Sequence, residues 1–165
     1  MDNDELTRLV LKLQQQVRHL TAVEAIHRLK YRYWRAVHEG KPDAVGACFS
    51  RNAEFDYGGT EPVIGREKIT QFFANAITSD VRVVLHGHNP EIELVSELRA
   101  TGRWQLDNIR VGASSAFRMG NGYVEEYLLE DGEWKVDKSK VQYLYLEPIK
   151  TAPLAGPNSF SASGD

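Results

Sequence analysis

The segment that decides the fold is residues 127–136, YLLEDGEWKV. It places Asp131-Gly132 between two runs that are rich in β-forming residues. Asp-Gly is preferred in two-residue hairpin turns, because both central positions of the favoured turn take a positive φ. The segment therefore predicts an antiparallel hairpin, and the rest of the chain is assigned outward from it.

The chain on both sides of this hairpin is also rich in β-forming residues. Turns are indicated at Ser96-Glu97 and at Gly120-Asn121-Gly122, because Gly, Asn and Ser interrupt strands. The β-rich stretches of the second half of the chain, with these turns between or within them, are residues 81–85, 91–95, 100–111, 113–129 and 133–146.

Helical patterns dominate the first half of the chain. Helices are predicted at residues 4–20, 21–39, 43–50 and 65–77, with one short strand at 53–57. The second helix has an apolar face and is expected to begin at Thr21, because Thr21 and Glu24 have the spacing of a capping box. A bend is therefore expected between the first two helices.

The first helix carries an apolar seam at Leu6, Val10, Leu13, Val17 and Leu20, with alternating spacings of four and three residues. This heptad pattern covers about two repeats, which is fewer than an independent coiled coil needs. Two alternatives follow from the seam: the helix packs on its own domain, or it packs on a second subunit.

Helices followed by strands predict an α+β fold, with the helices on one face of a curved antiparallel sheet. Such layers leave an open cone, and a cone lined by aromatic and aliphatic side chains suits a small molecule. We predict three segments: a leading helix at 1–20, a folded domain at 21–148, and a tail at 149–165 that is rich in Pro, Gly and Ser.

The composition argues against several classes of protein. The chain has 165 residues, with 20 basic side chains against 23 acidic ones and a net charge of −3. A nucleic-acid-binding protein would be expected to carry a basic surplus, so we expect no nucleic-acid partner. Cys48 is the only cysteine, which excludes an internal disulfide. The acidic start lacks a signal-peptide pattern and no apolar run could span a membrane, so we expect a cytoplasmic protein with no membrane partner.

Few side chains carry obvious chemistry. The chain lacks the common nucleotide-binding and hydrolase motifs, so we expect no cofactor. His86 and His88 would share one face of a strand, but no third ligand accompanies them and we expect no metal. Tyr33 and His38 lie near the end of the second helix, where each could border a pocket. His38 could act as an acid or base, or it could cap the helix in solvent.

The strand at 100–111 alternates between its two faces. Trp104 and Asn108 would share one face, and Asp107 would lie on the other. A buried amide among apolar side chains needs a hydrogen-bond partner, and a ligand could provide one. Tyr143 and Tyr145 would likewise share one face of the last strand.

Several stretches of the chain resemble SnoaL-like proteins of the NTF2-like superfamily. The matching stretches are EAIHRLKYRYWR at 24–35, HGHNPEI at 86–92, ATGRW at 100–104 and GEWKV at 132–136. The resemblance covers residues 5–148 and is greatest to the bile-acid 7α-dehydratase branch, with scytalone dehydratase and hexachlorocyclohexane dehydrochlorinase as more distant relatives. It implies the α+β cone predicted above and a homo-oligomer, either a dimer or a trimer.

The dehydratases of this family use a Tyr, an Asp, a His and a second Asp around the cone. The resemblance places the first of these at Tyr33. It places His38 at the first Asp, Leu85 at the His and Asn108 at the second Asp. The family's basic residue on the last strand falls near Tyr143, so the His–Asp pair of the family is not reproduced.

Two main hypotheses follow from this altered site. In the first, the chain is a cofactor-independent lyase that acts on a hydrophobic cyclic or aromatic alcohol, by dehydration or a related elimination or retro-aldol step. Its catalytic residues would be Tyr33, His38 and Asn108, and its substrate-binding residues would be Leu85, His88, Trp104, Asp107 and Tyr143. In the second hypothesis, the cone binds a small molecule without chemistry. An isomerase or cyclase, and a scaffold that acts through its leading helix, are further alternatives.

Overall fold

The computed structural model describes residues 2–59 and 61–150. In chain order its elements are α1 (Asn3–His38), α2 (Pro42–Gly46), β1 (Phe49–Asp56), β2 (Val63–Ile64), α3 (Arg66–Ala76), β3 (Arg82–Leu94), β4 (Arg99–Val111), β5 (Ala116–Glu130) and β6 (Glu133–Pro148). The predicted α+β class, with helices first and strands after them, is confirmed.

The six strands form one sheet in the order β2-β1-β6-β5-β4-β3. Neighbouring strands run antiparallel, except that β1 and β6 run parallel. The expectation of a purely antiparallel sheet is therefore wrong at this one pair. Short hairpin turns force antiparallel pairing, and no such turn joins β1 to β6.

The hairpin predicted at residues 127–136 is present between β5 and β6. Leu129 pairs with Trp134 and Glu130 pairs with Glu133. The two turn residues take positive φ values, 52° at Asp131 and 81° at Gly132. These are the values that favour Asp-Gly at this position.

The core lies between the sheet and the second half of α1. Alternate residues of β4 are buried, as a strand with one covered face requires. On the helix, Ile26 and Leu29 are fully buried, and they pack in one cluster with Tyr127 and Val136 of the sheet. Burial of each such side chain stabilises the fold by about 1.5–3 kcal/mol. The helix is thereby fixed across the sheet.

The predicted bend at Thr21 is absent, because α1 is one helix from Asn3 to His38. A capping box needs a non-helical residue at its first position, and Thr21 lies inside the helix. The Glu24 carboxylate instead accepts a hydrogen bond of 2.8 Å from Arg28, one turn further along. The predicted boundary between a leading helix and a domain therefore falls within a continuous element.

The predicted turn at residues 120–122 is also wrong, since these residues lie inside β5. Gly120 is needed there for space, because a Cβ at this position would lie 2.2 Å from the ring of Tyr145. The strands predicted at 81–85 and 91–95 are one strand, β3, with a bulge between His88 and Glu91. This edge strand tolerates Pro90 at the bulge, where a ladder hydrogen bond is not required.

The predicted tail at 149–165 lies almost wholly outside the described residues, which end at 150. Within the described residues, no helix has a stretch that is long and apolar enough to cross a membrane.

Candidate functional site

A cavity of about 280 Å³ lies between helices α1 and α3 and the inner face of the sheet. Ligand pockets in proteins are mostly lined by apolar and aromatic side chains with a few polar groups, and this cavity has that composition. Its lining residues are Tyr33, Val37, Tyr57, Phe72, Phe73, Ala76, Ile77, Val83, Leu85, Asn108, Arg110, Met119, Asn121 and Tyr123.

Two tyrosine hydroxyls meet at the wall of the cavity. Helix α1 contributes Tyr33, strand β5 contributes Tyr123, and their hydroxyl oxygens are 3.5 Å apart. Burial raises the pKa of both phenols well above the usual value, and their mutual hydrogen bond raises that of Tyr33 further. Both side chains are therefore protonated at neutral pH and can donate a hydrogen bond to an oxygen atom of a ligand.

Two asparagines form a second polar group in the cavity. Asn108 Nδ2 donates to Asn121 Oδ1 across β4 and β5, at 3.3 Å. Asn108 is only 6% exposed, and its Oδ1 has no hydrogen-bond partner among the described residues. A buried carbonyl oxygen without a partner costs stability, so it is a place where a ligand can gain binding free energy.

The cavity is short of groups that can transfer a proton at neutral pH. None of its described lining residues is a His, Asp, Glu, Lys or Cys. Among the described lining residues the one charged side chain is Arg110 of β4, which is half-buried and donates a hydrogen bond to the Ala76 carbonyl oxygen at 3.3 Å. An arginine does not lose its proton at physiological pH, so it can orient an oxygen but cannot act as a base.

A buried ion pair lies behind the two tyrosines. Lys30 Nζ is 4.5 Å from the ring centre of Tyr33 and 4.3 Å from that of Tyr123. It donates to Glu125 Oε1 at 2.7 Å, and the same oxygen accepts a hydrogen bond of 2.9 Å from Ser139. Burial lowers the pKa of the Lys30 ammonium, and the Glu125 carboxylate partly offsets this effect.

The ion pair continues into the core through strand β5. Tyr127 donates to Glu125 Oε2 at 2.5 Å, and it accepts a hydrogen bond of 2.8 Å from Trp104 Nε1. This network holds the strand beneath the cavity without entering it, since none of Lys30, Glu125, Tyr127 and Trp104 lines the cavity.

Three of the predicted site residues line the cavity: Tyr33, Leu85 and Asn108. His38 does not join them. It lies at the last position of α1 and is exposed, because a separation of five residues from Tyr33 turns it away from the cavity. The structure therefore separates the proposed acid–base histidine from Tyr33 and Asn108. Trp104 is a core residue, whose ring packs edge-on against Trp34 at 5.0 Å between centres.

His88 and Asp107 lie on the outer face of the sheet, where both are exposed and line a shallow depression. The pairing of β4 with β5 is regular throughout, so Asp107 stays on the face opposite Asn108. The bulge in β3 comes after His88, too late to turn His86 inward. Neither His86 nor Asp107 can therefore take the place of the family's His–Asp pair inside the cavity.

Tyr143 and Tyr145 do not share a face, contrary to prediction. A bulge opposite Gly120 and Asn121 leaves Leu144 without a paired residue on β5. Tyr145 then covers Gly120 on the outer face, while Tyr143 packs edge-on against Tyr57 at the rim of the cavity, with 5.9 Å between ring centres. Tyr143 is thus adjacent to the lining residues without being one of them.

The sequence interpretation missed Tyr57, Tyr123, Asn121 and Arg110. A usable signal was present in β5, where Asn121, Tyr123 and Glu125 occur at every second position. This alternation marks an inward face with polar groups, but the predicted turn at 120–122 concealed it. In the part of the chain that the structure describes, no cluster of three or more His, Cys, Asp or Glu side chains could hold a metal ion.

The family of the chain is established by its sequence. The profile of the SnoaL-like domain family matches residues 18–140, which is well over half of the chain.

Solved structures with the same architecture agree with this match. They include a candidate scytalone dehydratase from Novosphingobium aromaticivorans, at 20% identity and a TM-score of 0.74 over 81% of this chain and 91% of that chain. A candidate aromatic ring hydroxylase from the same species has 24% identity and a TM-score of 0.73 over 79% and 94%. Hexachlorocyclohexane dehydrochlorinase type 3 from Novosphingobium barchaimii has 20% identity and a TM-score of 0.75 over 86% and 99%. The chain belongs to the SnoaL-like family and has its NTF2-like fold.

Proposed function

We propose that this chain binds a small ring compound with oxygen substituents in the cavity between α1, α3 and the sheet. The observation that carries the proposal is the polarity of the cavity wall. Neutral hydrogen-bonding groups and one arginine converge on an otherwise apolar space, and no described lining residue is an acid or base near neutral pH. Such a wall is suited to recognising a ligand and poorly suited to removing its protons.

The size of the cavity limits the ligand to one or two rings. An apolar cavity of about 150 Å³ accommodates benzene, and this cavity measures about 280 Å³. The rings of Phe72, Phe73 and Tyr57 provide apolar contact area, which favours an aromatic or alicyclic body.

The polar groups define the substituents of the ligand. Tyr33 and Tyr123 stay protonated, so they favour a ligand oxygen that accepts hydrogen bonds. Asn108 Oδ1 has no partner among the described residues and requires a donor. A hydroxyl group meets both requirements, because it donates one hydrogen bond and accepts others. Phenols, cyclic alcohols and hydroxy ketones are therefore the expected class.

A binding experiment with three probes tests this class: 2-naphthol, 2-methoxynaphthalene and naphthalene. We expect 2-naphthol to bind most tightly, since the methyl ether cannot donate to Asn108 and the hydrocarbon makes no hydrogen bond. Each lost hydrogen bond should weaken binding by about 1 kcal/mol, roughly fivefold in Kd. The preference for naphthol over its ether should disappear in Asn108→Leu.

The matched control for the tyrosines is Tyr31→Phe, on the exposed side of the same helix. We expect Tyr33→Phe to weaken naphthol binding and Tyr31→Phe to leave it unchanged. Isothermal titration calorimetry measures both. Failure of all three probes to bind saturably, or equal affinity for all three, would contradict the proposed ligand class.

A second candidate function is a lyase that acts on a β-hydroxy ketone. It is supported by the paired hydroxyls of Tyr33 and Tyr123 and by the similarity to proteins described as a scytalone dehydratase and a dehydrochlorinase. One tyrosine would give its proton to the departing hydroxyl, which leaves as water. A water molecule would take the proton from the carbon next to the carbonyl and pass a proton to the tyrosinate, which restores the tyrosine. The net change is the formation of one C=C bond and the release of one water molecule.

A single assay separates the two functions. The compound 3-hydroxy-1-tetralone loses water to give 1-naphthol, whose absorbance and fluorescence are easily followed. A lyase should accelerate this loss, and Tyr33→Phe should lower the rate by about 10²–10⁴-fold if the hydroxyl acts as the acid. Saturable binding of the tetralone with no rate above that in buffer would support the binding function and exclude this lyase step.

A further inference from the structure

The first nineteen residues of helix α1 form a surface that the rest of the described chain does not cover. Every residue from Asp2 to Thr21 is exposed, whereas the same helix is buried on one side from Ala22 onward. This exposed part includes the leading seam, which we define as Leu6, Val10, Leu13, Val17 and Leu20. These five side chains are between 44% and 66% exposed.

Valine and leucine alternate along the leading seam. With alternating spacings of four and three, Val10 and Val17 occupy one heptad position, a, and the three leucines occupy the other, d. In paired helices, β-branched residues at a and leucine at d favour two parallel strands over three or four. The seam therefore has the pattern of a parallel two-stranded coiled coil.

We propose that the leading seam pairs with the leading seam of a second copy of this chain, in parallel. The charges beside the seam support a copy of the same sequence as the occupant. From Asn3 onward, the flanking e and g positions of the exposed part are uncharged: Thr7, Leu9, Gln14, Gln16 and Thr21. The N-cap residue Asp2 precedes them at a g position, beside the uncharged e position of Thr7 in a parallel pair. Two identical helices can thus approach without opposing like charges, and no charge at the positions from Thr7 to Thr21 would select a different partner.

The charged residues of the exposed part that follow Asp2 lie away from the seam. Arg8, Lys12 and Arg18 fall at positions that face solvent in a coiled coil, as do Asp4 and Glu5. The same arrangement keeps the unpaired surface of a dimer charged and soluble.

The seam is short, about 21 Å between its first and last residues at 1.5 Å per residue. Isolated helices of this length are marginal, because the first turn is costly to form. In this chain the helix already continues into the core, where Ile26 and Leu29 are fully buried. The exposed part is thus the continuation of a helix that the domain has already formed. Pairing therefore costs less conformational entropy than the pairing of two isolated peptides would.

The chain offers a matched pair of leucines for the test. Leu13 lies in the seam and is 50% exposed, while Leu11 lies outside it and is 58% exposed. Sedimentation velocity across a range of protein concentrations measures self-association of the full chain, of Leu13→Lys and of Leu11→Lys. Circular dichroism verifies that both variants keep their helix content.

We expect the full chain to form a dimer as concentration rises. Leu13→Lys should weaken the dimer by at least 100-fold in Kd, and Leu11→Lys should change it less than threefold. A chain that stays monomeric at all concentrations, a trimer, or equal effects of the two variants would overturn the proposal.

Disulfide cross-linking tests whether the two paired helices run parallel. Asn3 occupies position a, so Asn3→Cys should form a disulfide between two parallel chains under mild oxidation, whereas Asp4→Cys should do so far more slowly. The natural Cys48 is buried and does not interfere. Absence of the Asn3→Cys cross-link in a sample that sediments as a dimer would overturn parallel pairing.

Discussion

The two halves of helix α1 share one continuous backbone and have opposite surroundings. Residues 2–21 are all exposed. The half from 22 to 38 buries one side against the sheet, through Ala22, Ile26, Leu29, Lys30, Tyr33, Trp34, Ala36 and Val37. Both halves have apolar residues at helical spacing. Periodicity therefore indicates which side of a helix is apolar, but it does not indicate what covers that side.

The buried half also contains the less expected chemistry. It encloses a full charge at Lys30, which is 1% exposed, while the basic residues of the exposed half remain in solvent. The buried charge is tolerated because Glu125 pairs with it, and because Ser139 and Tyr127 complete the hydrogen bonding of that carboxylate. The side of the helix that forms the site is thus held by polar as well as apolar contacts.

The largest effect that we predict comes from breaking this pair. Glu125→Gln leaves the Lys30 ammonium buried without a counter-charge, so we expect a loss of about 3–5 kcal/mol in the free energy of unfolding. Urea denaturation at pH 7 measures it. The matched control is Glu126→Gln on the same strand, which removes an exposed partner of Lys138 at 3.2 Å and should cost less than about 1 kcal/mol.

The loss in free energy of unfolding caused by Glu125→Gln should change with pH in a defined direction. Burial already lowers the pKa of Lys30, and the Glu125 carboxylate partly offsets this effect. In Glu125→Gln that carboxylate is absent, so the pKa of Lys30 is lowered further. Between the lowered pKa and the ordinary value for lysine, the unfolded chain binds more protons, so stability rises with pH in that window. The deficit of Glu125→Gln relative to the unaltered chain should therefore shrink from pH 7 towards pH 10. A deficit that stays constant or grows would contradict a protonated Lys30 as its cause.

The next prediction compares one leucine from each half of the helix. Leu29 is fully buried, and Leu29→Ala should lower the free energy of unfolding by about 2–5 kcal/mol. Leu13 is 50% exposed, and Leu13→Ala should change it by less than about 0.5 kcal/mol at concentrations where the chain is monomeric. A large loss from Leu13→Ala in the monomer would mean that the leading seam packs on its own domain.

Much of the fold follows from the sequence because local signals and core packing agree there. The Asp131-Gly132 turn needs positive φ at two positions, and the alternation in β4 needs one buried face. Both constraints are local. The capping-box spacing at Thr21 and Glu24 is equally local, but packing of the following turns on the sheet keeps the helix continuous through it. Tertiary contacts there override a weak preference.

The site was harder to predict, because its geometry depends on register and on bulges between distant strands. Tyr33, Leu85 and Asn108 were placed in the cavity by face alternation and by resemblance to the family. Tyr123 and Asn121 were missed, because two glycines next to an asparagine favour a turn in the absence of a neighbouring strand. The bulge at Leu144 separates Tyr143 from Tyr145 and leaves no mark in the local sequence.

The smallest effect that we predict concerns the free end of the exposed half. Asp2 caps α1, with its carboxylate accepting a hydrogen bond of 2.7 Å from the Glu5 backbone amide. Loss of a cap costs about 1 kcal/mol, but in this segment the cost falls on local fraying, because no described contact ties these residues to the core. Asp2→Ala should therefore speed amide hydrogen exchange in the first turns of α1 by roughly fivefold, while the free energy of global unfolding stays the same.

Asp4→Ala is the control for this change, since it removes a carboxylate of the same first turn that does not cap the helix. Both variants are best measured with Leu13→Lys also present, so that pairing of two chains does not protect the helix. If Asp2→Ala lowered the global stability of this monomer, the two halves of α1 would be unfolding as one unit. The exposed half would then contribute to the stability of the domain, and the two halves would differ only in how much of their surface is exposed.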